Sequence, residues 1–267
     1  MHVSSARLPA DSGDDRVFVA SNGAVVLDGA TAYKPHRVAA ADYAETLGRA
    51  ITDILDDTTP LEDILSVALD RTIGHLGLES HSQSAPSSTI VLVRLRAVGM
   101  TDILVLGDST AVIGYANGDE EILRDDRLQR LPLPAAKEYR TRLHQGRGYD
   151  RTHRELLATL QESQRRWRNR PDGYWIASTD PEAARHAVVV SRPSDQIRWL
   201  VLATDGTTDI LGPLGIGWRD IAELDNTDLA GLLARCQQWE ETVDPNGVLL
   251  PRAKRHDDKT VAVIKLD

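Results

Sequence analysis

The chain has almost no sulfur chemistry to offer. Cys236 is its single cysteine among 267 residues, so no intrachain disulfide can form, and a reducing cytoplasm is the expected setting. One cysteine also rules out a CxxC metal clip, and no two histidines stand at HxxxH spacing, so zinc is not expected. There is no GxxxxGK phosphate loop, which argues against an ATPase. No apolar run reaches the roughly 18 residues of a membrane span, and Met1 to Ala10 lacks the apolar stretch of a signal peptide. Aromatics make up only 4% of the chain, so Val, Leu, Ile and Ala must fill most of the core. Positive charge is also short: 31 basic against 40 acidic side chains leave −9, which speaks against a general nucleic-acid binder.

What the chain does have is aspartate at the tips of strand-like apolar runs. Val25-Val26-Leu27 ends in Asp28-Gly29, Ile103 to Leu106 ends in Gly107-Asp108-Ser109, and Trp199 to Ala203 ends in Thr204-Asp205-Gly206. The fourth case is reversed, with Asp257-Asp258-Lys259-Thr260 preceding Val261 to Ile264. If that last strand runs antiparallel to the others, all four carboxylates meet at one sheet edge. Converging carboxylates repel one another unless a cation holds them, so the pattern predicts a site for a hard, oxygen-loving ion, Mg2+ or Mn2+. Taken singly, each Asp-Gly is an ordinary turn. The set carries the prediction.

Around these tips the chain reads as strands and helices in blocks, an α+β pattern. Residues 1–16 are polar and read as irregular. Strands are expected at 16–20 and 24–27 around the Asn22-Gly23 turn, then in meander spacing at 89–95, 102–106, 111–115 and 120–123. Further strands are expected at 196–203 and 260–266. Helical spacing appears at 39–55, 61–76 and 151–168, and from the Asp225-Asn226 cap to about 240. Pro60 suits the start of the second helix and Gly77 its end. Residues 80–88 read as a Ser-rich linker and 247–256 as a loop.

The ordered set Asp28-Gly29, Gly107-Asp108-Ser109, Ala203-Thr204-Asp205-Gly206 and Asp257-Asp258-Lys259-Thr260 resembles the metal-dependent serine/threonine phosphatases of type 2C, the PPM family, in their compact bacterial form. The match runs from about Asp14 to Leu266. The resemblance implies one domain over 1–267, a four-layer sandwich of two antiparallel sheets with helices outside both. It implies Asp28, Asp205 and Asp257 as ligands of two core Mg2+ or Mn2+ ions, with the Gly29 carbonyl on one of them and a third, weaker ion at Asp108. Asp14-Asp15 resembles the family's acidic pair, acting through metal-bound waters. Arg7 lies nearest to the phosphate-binding arginine, slightly out of register. Departures are also plain. Ala30 stands where some relatives carry a proton-donating histidine, Thr31-Ala32 where glycines are usual, Thr110 where arginine is common and Asp258 where asparagine is usual. His36 and His256 are the substitute proton donors to consider, against ordinary surface histidines.

The implied activity is hydrolysis of phosphoserine and phosphothreonine on proteins by a water bridging two metal ions, without a phosphoenzyme. The implied partners are a phosphorylated protein and an opposing kinase, with no nucleic acid or membrane. Two alternatives stay open: a catalytically weak binding module that keeps the fold, and a phosphatase for a small metabolite. Other phosphatase chemistries fit less well. A cysteine phosphatase needs an arginine six residues after its nucleophile, where Cys236 has Thr242. An aspartyl-phosphate hydrolase needs an acid two residues before its Asp-Gly-Thr, where Asp205 has Ala203. Residues 132–190 occupy the position of the family's variable flap. Ten basic and four acidic side chains between Lys137 and Arg170 make it locally positive. It is expected to dock acidic phosphorylated substrates through Arg165, Arg166, Arg168 and Arg170, with Trp167 and Trp175 as aromatic contacts. A solvated helix with a core-facing Trp is the plainer reading, and RNA binding a third.

Overall fold

Two five-stranded sheets form the centre of the computed structural model, which describes residues 1–30 and 36–266. The first has the order β1 (His2–Leu8), β10 (Lys259–Lys265), β9 (Ile197–Ala203), β6 (Thr110–Tyr115), β7 (Glu120–Arg124). The second has the order β2 (Arg16–Ala20), β3 (Gly23–Ala30), β4 (Ser87–Arg96), β5 (Met100–Leu106), β8 (Val188–Pro193). Every pairing is antiparallel.

The period-2 geometry of a strand explains the continuous apolar runs, because here both faces are covered. Val26, Val91, Val93, Ile103 and Val105 of the second sheet face Ala111, Ile113, Leu200, Leu202, Ala262 and Ile264 of the first. The alternate residues turn outward. Val25, Leu27, Ile90, Leu92, Leu104 and Leu106 pack under α1 (Ala40–Ile54) and α2 (Leu61–Leu76). Val112, Trp199, Val201, Val261 and Val263 pack under α6 (Asp205–Leu214), α7 (Trp218–Ala222) and α8 (Asn226–Thr242). The result is the expected four layers, helix, sheet, sheet, helix. Each fully buried aliphatic side chain contributes roughly 1.5–3 kcal/mol.

Between β7 and β8 lie α3 (Arg127–Arg130), α4 (Pro134–His144) and α5 (Arg151–Arg165). Leu133, Ala135, Tyr139, Leu143 and Leu160 give α4 and α5 a small core of their own, separate from the sheets. Trp167 packs against it and Trp175 packs in the α1–α2 core, so both take the plainer reading.

Two expectations need correction. Residues 2–8 are not irregular but form the edge strand β1. Val3 reaches the inter-sheet layer while Ala6 and Leu8 reach the α8 side. Residues 188–190, read as the tail of the flap, belong to the opposite sheet's edge strand β8, paired with β5. Gly77 ends α2 as expected, in the left-handed conformation at φ 57°.

Candidate active site

The acidic tips do come to one place. β10 runs antiparallel to β9 with Val261 opposite Ala203, which sets the start of β10, and Asp257 before it, beside Asp205 just past the end of β9. β6 pairs with the same strand, Thr110 opposite Ala203, and Gly107 to Ser109 cross from β5 in the second sheet to β6 in the first. Asp108 therefore sits where the two sheets exchange a strand. In the second sheet Arg16 pairs with Leu27, so Asp15 stands opposite Asp28 by the same register.

Close backbone approach explains the glycines. A Cβ on Gly206 would lie 2.1 Å from the Asp258 carbonyl oxygen, so only glycine lets the start of α6 press against the Asp257-Asp258 chain. At Gly29 a Cβ would lie 2.6 Å from the Asp14 carbonyl oxygen, where the acidic pair crosses β3. The Asp14 amide then donates to Asp258 Oδ2 at 2.5 Å and joins the first and last motifs. Asp258 is thus used as a backbone clamp.

A second set of groups fixes the approach to Asp257. Asp244 caps the 247–256 loop by accepting from the Val248, Leu249 and Leu250 amides and from Arg252. Lys259 is fully buried and donates to Glu240 Oε2 at 2.8 Å and to the Asp257 carbonyl at 2.9 Å. His256 Nδ1 bonds the same Glu240 oxygen at 3.0 Å, so it is committed to this structural cluster. His36 Nδ1 accepts from the Val38 amide.

The electrostatics are those of crowded acids. Burial, then Asp15, Asp205, Asp257 and Asp108, holds the Asp28 carboxyl well above the usual carboxylate range. Burial, then Asp108, Asp257, Asp209 and Asp15, does the same to Asp205. Burial raises Asp108 against the pull of Arg124. Burial lifts Asp15 to about 6, with Asp258 and Asp257 adding to it and the Thr260 and Thr204 hydroxyls opposing. Asp15 Oδ2 accepts from Thr204 Oγ1 at 2.9 Å, while its buried Oδ1 has no partner. Lys254 Nζ stands 2.7 Å from Asp257 Oδ1. Burial presses that amine toward neutrality, but Asp257, Asp28 and Asp258 outweigh it and hold it above the usual lysine range.

These residues fit a hard divalent ion by donor chemistry: oxygen donors, an orphaned buried carboxylate oxygen and mutual repulsion that a cation would relieve. Among the described residues, no three His, Cys, Asp or Glu side chains are already arranged to hold an ion. Asp108, Asp205, Asp209 and Asp257 line the floor of a cleft of about 820 Å³ whose far side is α4 and α5.

No protein-family model matches the chain, and no curated protein matches it in sequence. Solved structures do match in three dimensions. The PPM Ser-Thr phosphatase MsPP from Mycobacterium smegmatis, in complex with cacodylate, is 16% identical with TM-score 0.54, covering 100% of this chain and 99% of that one. Serine/threonine phosphatase Stp1 from Staphylococcus aureus is 13% identical with TM-score 0.57, covering 100% and 96%. The Mycobacterium tuberculosis phosphatase PstP/Ppp is 12% identical with TM-score 0.52, covering 99% of each chain. The fold is that of the PPM-type serine/threonine phosphatases.

Within this PPM fold, Arg7 lies on β1 and its Nη1 donates to the Asp15 carbonyl at 2.9 Å. That bond positions the acidic pair. Thr31 and Ala32 lie outside the described residues. Arg165, Arg166, Arg168 and Arg170 do not line the cleft, contrary to expectation. Arg165 pairs with Glu162, and Arg168 donates to the Ala85 carbonyl. Cys236 is buried on α8 with its thiol pushed up to about 11 by burial, so it is a packing residue. Two residues escaped the sequence reading. Asp209 sits one turn after Asp205 on α6, and burial raises its carboxyl against Arg124, with Asp257 adding to the rise. Arg124 on β7 lies directly opposite Thr110 and faces Asp108 and Asp209. An i, i+4 pair of acids at the start of a helix would have revealed Asp209, had Asp205 been read as a helix start.

Proposed function

We propose that the chain is a metal-dependent phosphoprotein phosphatase that hydrolyses phosphoserine and phosphothreonine esters with water and no phosphoenzyme. The observation that carries the reading is the cluster of Asp15, Asp28, Asp108, Asp205 and Asp257 at one edge of a PPM-type sandwich, with burial raising the carboxyls of Asp15, Asp28, Asp108 and Asp205. A solved PstP catalytic domain, 13% identical with TM-score 0.52, is in complex with two manganese ions. Two Mg2+ or Mn2+ ions bound at the corresponding acids would polarise phosphoryl oxygens and acidify a coordinated water. Asp28, Asp205 and Asp257 would hold them, with the Gly29 carbonyl. Asp15 would act at one remove and Asp108 would hold a third ion. Thr204 and Arg7 keep Asp15 in place through its carboxylate and its carbonyl. For Arg7 to bind phosphate as well, it would have to release that carbonyl. Lys259 and Glu240 anchor the Asp257 backbone from the core side. A nucleophilic cysteine has no place here, since Cys236 is buried and its thiol disfavours ionisation. The reading includes a kinase whose products the enzyme removes and a reducing cytoplasm, to which a chain with one buried cysteine is suited. No helix among the described residues is long and apolar enough to cross a membrane.

Turnover of p-nitrophenyl phosphate and of a phosphothreonine peptide, with Mn2+ and with chelator, tests the proposal. Activity should vanish in chelator and fall at least about a hundredfold in Asp28→Asn and Asp205→Asn. A fully active Asp205→Asn enzyme would refute it. A second reading, a binding module with little turnover, draws on the 2.7 Å contact of Lys254 with Asp257 and on Arg7's commitment to Asp15. Calorimetry without divalent binding, together with no turnover on any phosphoester, would select it.

A further inference from the structure

The cleft floor is acidic, but one wall is not. Arg124 on β7 and Lys137 and Arg140 on α4 line it. Lys137 and Arg140 stand at i, i+3, on one face of the helix. Among the described residues none of these three side chains makes a hydrogen bond or ion pair. Arg140 only rests over the Tyr139 ring at 5.6 Å, and Arg124 Nε is buried without a partner. The other cations of the cleft are taken: Arg252 is 2.8 Å from Asp244 and Lys254 2.7 Å from Asp257. Several flap arginines are also paired, Arg142 with Asp150, Arg151 with Glu155 and Arg165 with Glu162. Unspent positive charge therefore collects on the cleft wall that faces the acids.

We infer that this wall recognises acidic residues flanking the phosphorylated side chain, so that the cleft takes an acidic phosphorylated segment of a protein. The inference rests on the phosphatase reading above and specifies its substrate class. Arg124, which faces Asp108 and Asp209, stands closest to the floor and meets the phosphoryl group; guanidinium suits its planar array of oxygens. Arg140 also reaches Asp209 electrostatically, and with Lys137 it serves the neighbouring carboxylates. A volume of about 820 Å³ holds several residues, not a phosphate alone. A nucleic acid fits worse. Its phosphodiesters spread negative charge along the whole cleft, against Asp108, Asp205, Asp209 and Asp257, whereas a peptide confines its charge to the wall.

The test compares kcat/KM with Mn2+ on p-nitrophenyl phosphate and on two phosphothreonine peptides, one flanked by glutamates and one by glutamines. Each exposed charge pair contributes a factor of about 1.5 to 5, so the acidic peptide should be preferred by about tenfold at low salt. Raising the ionic strength should erode that preference. Lys137→Glu/Arg140→Glu changes two exposed helix positions and should reverse the preference. Equal rates on the two peptides in the wild type, or a preference that survives the double reversal, would overturn the inference while leaving the phosphatase reading intact. If no phosphoester is turned over, the phosphatase reading fails. Fluorescence anisotropy of the same two peptides then decides the wall by itself: tighter binding of the acidic peptide, lost in the double variant, upholds it, and equal binding overturns it. Tighter binding of a single-stranded RNA than of the acidic peptide in that assay also overturns it.

Discussion

Replacing Asp15 with asparagine should stabilise the metal-free protein at neutral pH. Losing a buried, hydrogen-bonded carboxylate normally does the opposite. Asp15 is 4% exposed, and its hydrogen bond from Thr204 Oγ1 can be kept by the asparagine carbonyl. Its Oδ1 has nothing to lose, being unpartnered. Burial, reinforced by Asp258 and Asp257, moves the carboxyl from 3.8 to about 6 on folding. A carboxyl shifted upward favours the fold fully below its unfolded pKa, and that contribution is lost as pH rises through the folded value. The window here is therefore pH 4 to 6. Above it, the ionised group costs the fold roughly 3 kcal/mol. Asparagine removes the charge and should recover about 2 kcal/mol, or about 4–6 °C of Tm for a chain of this size. Thermal unfolding in chelator at pH 4.0 and pH 7.5 reads the effect, with the gain present at pH 7.5 and nearly absent at pH 4.0. Saturating Mn2+ should invert the order, since the wild type gains binding energy that the variant cannot. A variant less stable than wild type in chelator at pH 7.5, or an equal gain at both pH values, would refute the account of a repelling acid cluster.

Other outcomes follow from the groups that hold the cluster. Glu240→Ala should cost about 3–5 kcal/mol in urea unfolding, because it leaves the fully buried Lys259 ammonium without its partner. Gly206→Ala should abolish the rise in Tm on adding Mn2+, because its methyl group cannot fit 2.1 Å from the Asp258 carbonyl without pushing Asp205 away from Asp257. Cys236→Ala should keep kcat/KM on p-nitrophenyl phosphate and lose about 1 kcal/mol of stability, as a small packing residue does. A large loss of activity in that variant would revive thiol chemistry.

How far the fold could be read from the sequence depended on burial. Val25 to Leu27, Ile103 to Leu106 and Leu200 to Ala203 were readable because each strand is covered on both faces, so no polar residue interrupts the run. The edge strands were not. β1 carries Ser4 and Ser5 where an interior strand would carry valine, and the Ser5 amide bonds Asn226 of α8. β8 has Val189 exposed between two inward valines and ends in Pro193, as an unprotected edge permits. α6 was hidden by the hydrogen bonds of its cap residue. Thr204 stands at the cap position, yet its hydroxyl donates to Asp15 and accepts from the Thr260 amide instead of capping the helix, so Thr-Asp-Gly reads as a turn.

The same contrast divides the site. The acids were legible as a set because each must lie at a strand tip, and strand tips are marked by apolar runs that stop. The basic wall has no such marker. Arg124 is the last residue of an edge strand, Lys137 and Arg140 lie on a short helix that follows Leu-Pro-Leu-Pro, and nothing in their spacing separates them from the paired arginines nearby. Only packing tells them apart. Arg165 has Glu162 within one helical turn, and Arg142 has Asp150 across the helix hairpin, so both are neutralised locally. Arg140 lies over an aromatic ring, and half-buried Arg124 has its Nε enclosed without a partner. A count of +6 between Lys137 and Arg170 takes in Lys137 and Arg140 together with the paired Arg142, Arg151 and Arg165, and leaves out Arg124. Charge available to a substrate is what remains after a fold has paired its own, and that remainder is a property of three-dimensional neighbours.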